Sequence, residues 1–485
     1  MNYRRLIYVV LLLALLSPLA FLYQSSALPA RAGFNEVREG STPEGGSWLV
    51  HMPLVAKAYP RRASLFGVEM YNLDSSNGLD AMLSAGAYWI RRNALLWSQA
   101  EPTQGNYYPY SQPVLQEELI TASNLGVEVL LIVRSAPDWA RQIASQDCSR
   151  IKPDKLQAFA DFMKWAVERY SAPPYHVKYW QIWNEPDVPP SVAVSGGING
   201  CWGDPSDAYY GGGYYAEVLR AVYPKVKEAN PEAKVLLGGL LLDCNPSNPN
   251  CDDPQQSRYL EGILANGGGD YFDAVAFNAY DYYDQSRNGY INNNWNSSWD
   301  TTGPVVIAKA EYIRNLLSEY DVPGKTLINT EGAILCGQSG QEAPCLTANF
   351  EEIKADYVVQ LFAAALAEGF QSSIWYNALG WRGSGLFDAQ LTPLPAYDAY
   401  RFTASKLAGA EFIRRINEYP GIMGYEFNRE GRTLWVLWTL GSSVRTISLP
   451  KMPSNIWDAL GTPISFFASN LEVTRRPLVI EYAGW

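Results

Sequence analysis

Eight short apolar runs, alternating with longer stretches of helical spacing, set the tightest limit on how this chain folds. They are LFGVEMY at 65–71, YWIRRNALLW at 88–97, VEVLLIV at 127–133, KYWQIWN at 178–184, KVLLGG at 234–239, FDAVAFNAY at 272–280, TLINTEG at 326–332 and SSIWYN at 372–377. Near-continuous Val, Ile, Leu, Trp and Phe is the pattern of a strand covered on both faces, as in a parallel sheet. Between the third and fourth runs, DKLQAFADFMKWAVERY places Leu156, Phe159, Met163, Ala166 and Tyr170 at steps of three and four, one face of a helix. AEVLRAVYPKVKEAN and EIKADYVVQLFAAALAEG have the same character. Eight buried strands alternating with helices predict a (β/α)8 TIM barrel over residues 64–408 rather than an open sheet.

The rhythm changes after about Ala408. GYEFN, TLWVLWT, VRTISL and PLVIEY are short, partly alternating runs separated by turns, which predicts a small antiparallel β-sandwich-like domain over 409–485. At the other end, Arg4 and Arg5 precede an apolar run from Leu6 to about Leu22 and then small residues. This is the pattern of an export signal over 1–32 or, if uncleaved, of a membrane anchor. Residues 33–63 read as a linker. The expected location is therefore outside the cell, secreted or anchored through the N-terminal segment and facing outward.

Six cysteines in an exported chain read as disulfides. Cys244 and Cys251 bracket one short polar loop, Cys336 and Cys345 another, and Cys148 and Cys201 are left as the third pair. The formal net charge of -11 leaves no basic stripe for a nucleic-acid backbone. The only histidines, His51 and His176, are too few for a Ser-His-Asp hydrolase or a multi-His metal centre. With neither a GxGxxG fingerprint nor a P-loop, no cofactor and no metal are expected. Nothing in the sequence marks an obligate protein partner.

In a closed parallel barrel the C-terminal strand ends form the working face. Glu185, in KYWQIWNEPD, closes the fourth strand, and Glu331, in TLINTEG, closes the seventh. Two carboxylates reaching one rim from well-separated strands are what glycosidic bond cleavage requires: one protonates the leaving oxygen, the other attacks or activates water at the anomeric carbon. Pro186 biases Glu185 toward an extended backbone, so the strand is expected to act as a rigid post with the carboxylate at its tip.

WNEP near the fourth strand and the TEG glutamate on the seventh resemble clan A of the glycoside hydrolases, families 5, 39 and their neighbours. The resemblance runs along most of residues 64 to 405. WIRRNALLWSQAEPTQGNYY is similar to their second-strand segment, LIVRSAPDWA to the third, and GLFDAQLTPLPAYDAY to the segment after the eighth; β domains comparable to the C-terminal one, with WDALGTPIS, are appended to such barrels. The resemblance implies a retaining β-glycoside hydrolase acting on poly- or oligosaccharides, with Glu185 as general acid/base and Glu331 as nucleophile. It further implies Asn184 on the sugar hydroxyl beside the anomeric carbon, Tyr280 on the nucleophile, and Trp375 and Trp139 as sugar platforms. On the second strand Arg91 and Arg92 both fit, by different counts, and Arg91 is chosen. The chain departs from many relatives where Asn278, and Arg134 with Ser135, stand in place of histidines. The alternative reading is a non-catalytic carbohydrate-binding surface protein on the same barrel.

Overall fold

A computed structural model of the chain describes residues 64–192, 200–249, 251, 255–292, 299, 302–466 and 469–483. The export signal or anchor and the linker, residues 1–63, lie outside the described residues. Nine strands make the first sheet: β1 Phe66–Glu69, β2 Trp89–Leu96, β3 Glu128–Arg134, β4 Tyr179–Ile182, β5 Lys234–Leu236, β6 Ala274–Asp284, β7 Gly289–Ile291, β8 Thr326–Leu335 and β9 Ser372–Trp375. Their order is β5-β4-β3-β2-β1-β9-β8-β6-β7, and pairing of β5 with β6 closes the ring. All eight expected strands are present and parallel to their barrel neighbours. The ninth, β7, folds back antiparallel on the end of β6 as a short hairpin, too brief to leave a mark in the apolar pattern. Helices Leu156–Tyr170, Gly212–Ala229 and Ala348–Ala367 occupy the three stretches whose periodicity announced them.

Strand side chains alternate faces, and the packing shows which residues point where. Trp89, Leu130, Ile132, Tyr179, Leu236, Ala274, Ala276, Ile328 and Ile374 form a cluster of their own inside the ring. Their neighbours Ile90, Leu131, Val133, Trp180, Val275 and Leu327 belong instead to the larger core under the helices. Continuing this alternation to the C-terminal ends turns Glu69, Arg91, Arg134, Gln181 and Asn278 toward the lumen. One extra residue on β8 breaks the alternation: Phe277 pairs with Asn329, but Asn278 pairs with Glu331. Such a bulge re-aims a side chain, and here it brings both Thr330 and Glu331 to the inner face.

The C-terminal region holds β10 Glu411–Arg415, β11 Ile422–Arg429, β12 Arg432–Thr439, β13 Arg445–Ser448, β14 Asn455–Trp457, β15 Asn470–Val473 and β16 Leu478–Tyr482. A five-stranded sheet, β10-β11-β12-β16-β14, packs against the two-stranded β13-β15. Trp435, Leu437, Ile447, Leu471, Val473 and Ile480 fill the space between them. The opposite face of β12, Leu434, Val436 and Trp438, joins the barrel's own core together with Tyr425 and Phe427. The sandwich-like domain expected from the sequence is therefore also a wall of the barrel's helical layer.

All three disulfides pair as expected, two across short polar loops, Cys244–Cys251 and Cys336–Cys345, and the remaining Cys148–Cys201, with Cα separations of 5.6, 5.6 and 5.3 Å. Among the described residues, no helix is long and apolar enough to cross a membrane.

Candidate active site

The site is organised around one guanidinium. Arg91, fully buried, donates through Nη1 to Glu69 Oε2 and to Glu331 Oε1, the latter at 2.6 Å. Its Nη2 reaches Asn184 Oδ1 at 2.6 Å and its Nε reaches Gln181 Oε1 at 3.2 Å. Four elements, β1, β2, β4 and β8, are thereby fastened together. The alternation along β2 decides between the two arginines: Arg92 faces outward and pairs with Glu118, with Nε–Oε2 at 2.8 Å.

Glu331 is gripped from its other side as well, since the Tyr280 hydroxyl donates to its Oε2. Burial, reinforced by the charge of Glu331, pushes the Tyr280 phenol far up, so it keeps its proton and remains a donor. Glu185 sits across the lumen under different control. Asn278 Nδ2 donates to Glu185 Oε1 at 2.7 Å, and Thr330 Oγ1 donates to Asn278 Oδ1 at 2.8 Å, which fixes the amide's orientation. Burial first, and the charge of Glu331 second, hold the Glu185 carboxyl well above the usual carboxylate range, while the Asn278 amide pulls the other way. Glu185 and Glu331 both keep a small opening to solvent, at 7% and 6% exposure.

The segment that carries Glu185 is not the extended post expected from Pro186. β4 ends at Ile182, and both Trp183 and Glu185 have positive φ, 70° and 44°. This left-handed backbone costs an L-residue roughly 1–2 kcal/mol, so tertiary bonds must override the local bias. They do: Glu185 N donates to Gly238 O at 2.6 Å, and Gly200 N donates to Asn184 O at 2.6 Å. Only glycine allows this approach, because a Cβ on Gly238 would lie 2.6 Å from Pro186 Cδ and one on Gly200 would lie 2.8 Å from Pro186 Cα. Asp187 continues the clamp by accepting from Leu241 N and Leu242 N at 3.0 and 2.9 Å. Lys309 Nζ then ties Leu241 O to Asn278 O, at 2.7 and 2.8 Å.

Of the residues named from the sequence, Glu185, Glu331, Asn184, Arg91 and Tyr280 meet here. Asn184 accepts from Arg91 and from Gln181 Nε2, and its own NH2 has no partner among the described residues. Trp375 does not fit the platform role. It is 0% exposed, points outward to the helical layer beside Tyr357, and gives its indole N–H to Ser384 O. The inward position next to it belongs to Tyr376, whose ring meets Tyr280 and Trp381 edge-on. Trp381 is 46% exposed and supplies the open indole face. Trp139 packs edge-on against Trp97 and donates to Glu101 O, and no bond joins it to the carboxylates.

Glu69, Gln181, Asn278, Thr330, Tyr376 and Trp381 complete the site and were not among the residues named as its members. Glu69 was legible in principle, as the one charge inside LFGVEMY at an inward position. Burial pushes its carboxyl up to about 7, against the lowering pull of Arg91.

No protein-family model matches the sequence, and no curated protein is significantly similar to it. Solved structures are similar in fold. A family 39 glycoside hydrolase from Bacteroides cellulosilyticus WH2 superposes with a TM-score of 0.64 at 18% identity, over 87% of this chain and 81% of that one. A family 30 endoxylanase from Clostridium papyrosolvens C71 gives 0.54 at 10% identity, over 87% and 97%. A conserved exported protein from Bacteroides fragilis gives 0.57 at 14% identity, again over 87% and 97%. At these identities the similarity establishes the fold alone, the barrel with its appended β domain.

Proposed function

We propose that this chain is a retaining glycoside hydrolase, exported from the cell, that cleaves β-linked poly- or oligosaccharides with Glu331 as nucleophile and Glu185 as general acid/base. The observation that carries this reading is the unequal treatment of the two carboxylates. Glu331 accepts from the Arg91 guanidinium on one carboxylate oxygen and from the Tyr280 phenol on the other. Glu185 is buried, and the neighbouring negative charge favours its protonated form. A carboxyl that keeps its proton, facing a second carboxyl held by two donors, is what an acid and a nucleophile need at one pH.

In the first step Glu331 attacks the anomeric carbon while the bond to the leaving oxygen breaks and Glu185 delivers its proton to that oxygen. The product is a glycosyl ester on Glu331, which no longer carries charge. The electrostatic contribution that raised Glu185 disappears at that moment, so the same carboxylate takes a proton from water in the second step. Asn184, with its oxygen committed to Arg91, offers its NH2 to the sugar hydroxyl beside the reacting carbon. Tyr376 and Trp381 supply the apolar face for a ring. The three disulfides support an oxidising, extracytoplasmic location.

Azide rescue tests the two roles separately. Glu331→Ala and Glu185→Ala should each lose most activity on aryl β-glycosides. Azide added to the Glu331 variant should yield the α-glycosyl azide, by direct displacement. Added to the Glu185 variant it should yield the β-azide, by attack on the ester. Full turnover in either variant, or the same azide from both, would refute the assignment.

A further inference from the structure

We propose that Arg134 binds an anionic substituent, a carboxylate or a sulfate ester, on the sugar that enters the cleft, making acid-bearing glycans the preferred substrates. This rests on the hydrolase reading above and narrows its substrate class. Arg134 ends β3, and alternation with Leu130 and Ile132, both inside the ring, aims it into the lumen above them. Its guanidinium touches only neutral oxygens, with Nε on Asn93 Oδ1 at 2.7 Å and Nη1 on Ser135 Oγ at 2.9 Å. Among the described residues it forms no ion pair. Nη2 is left without a partner, and the side chain keeps partial access to solvent.

A half-buried guanidinium that lacks a carboxylate carries an uncompensated desolvation cost. Burial pushes Arg134 below the usual arginine range, and the nearby charges of Asp147 and Glu69 only partly oppose this. Neither acid pairs with it: Glu69 binds Arg91, and Asp147 binds Arg141. An incoming planar anion would supply the missing partner through charge-assisted hydrogen bonds. The local charge permits one. Arg91 and Arg134 face Glu331, while burial pushes the Glu69 carboxyl up to about 7 and holds Glu185 well above the usual carboxylate range, so the mouth of the lumen is not acidic although the whole chain carries -11. Arg91 itself is saturated by Glu69, Glu331, Asn184 and Gln181, whereas Arg134 keeps Nη2 open to a ligand.

The test compares aryl glycosides that differ in one group: 4-nitrophenyl β-glucuronide against β-glucoside, and β-galacturonide against β-galactoside. The corresponding 6-sulfates form a third arm. Wild-type enzyme should favour at least one acidic member of these sets by tenfold or more in kcat/KM. Arg134→Gln should lose at least ten times more on that substrate than on its neutral counterpart, mainly through KM, with Arg134→Lys recovering part of it. Preference for the sulfate or the uronide identifies the anion. Equal losses on acidic and neutral substrates would mark Arg134 as a brace for Asn93 and Ser135 and overturn the proposal, as would a wild-type preference for neutral sugars. If no glycoside is hydrolysed, the hydrolase reading fails by itself. Tryptophan fluorescence titrations with glucuronate, galacturonate, glucose 6-sulfate and glucose then still decide the binding question. Tighter binding of an acidic sugar that Arg134→Gln abolishes supports the anion site, and equal or absent binding overturns it.

Discussion

Replacing Glu69 by Gln asks whether the third carboxyl of the site is protonated in the folded protein. The substitution keeps the shape and an oxygen that accepts from Arg91, and removes the titration. Burial raises the Glu69 carboxyl from an ordinary 4.5 to about 7. Two and a half pH units at about 1.4 kcal/mol each mean that the folded chain holds this proton by about 3 kcal/mol more than the unfolded chain does. The sign follows from the direction of the shift. Below pH 4.5 both states are protonated and the contribution of Glu69 to stability is fully present. As pH rises from 4.5 through 7, the unfolded state ionises first, and the contribution is lost. The Gln variant has no such loss. Urea unfolding of both proteins between pH 4 and pH 8 should show the variant gaining on the wild type by about 3 kcal/mol across that interval, with the change ending near pH 7. A constant difference across the range would show that Glu69 titrates alike in the folded and unfolded chains, and would refute the argument that burial holds its proton.

Tyr280→Phe removes the phenolic donor to Glu331. A hydrogen bond to a charged group is worth roughly 1.5–3 kcal/mol, so kcat on an aryl β-glycoside should fall roughly 10- to 100-fold, with the unfolding midpoint little changed. Asn278→Ala removes the one hydrogen bond that lowers the proton affinity of Glu185, so the alkaline limb of the kcat/KM profile should move to higher pH. An unmoved or acid-shifted limb would assign that limb to another group.

The barrel was readable because burial on two faces writes itself into eight apolar runs, and the two principal glutamates because each interrupts such a run at its end. Arg91 was readable as one of a pair, but choosing it required knowing which face of β2 looks inward. Alternation from Trp89 supplies that, and the bulge between Arg92 and Leu95 hides it from a count made backward from Trp97. Trp375 misled for the same reason: one position decides between lumen and helical layer, and Tyr376 holds the inner place. The turn at Glu185 was out of reach of local rules, because bonds from Gly238 and Gly200, distant along the chain, impose a backbone that Pro186 alone opposes. Hairpin β7 left no trace because three residues hold no period.

The way the C-terminal sheet is seated has a practical corollary for anyone cutting the gene into pieces. Leu434, Val436 and Trp438 on one side of β12 insert among barrel side chains, while Trp435 and Leu437 on the other side serve their own small sandwich. A clone ending near residue 408 would strip Trp457 from Phe402 and the β12 side chains from the barrel core, and offer a greasy flank to its neighbours. The appended sheet is therefore a fixture of the barrel, to be carried along in any chimera or minimised version.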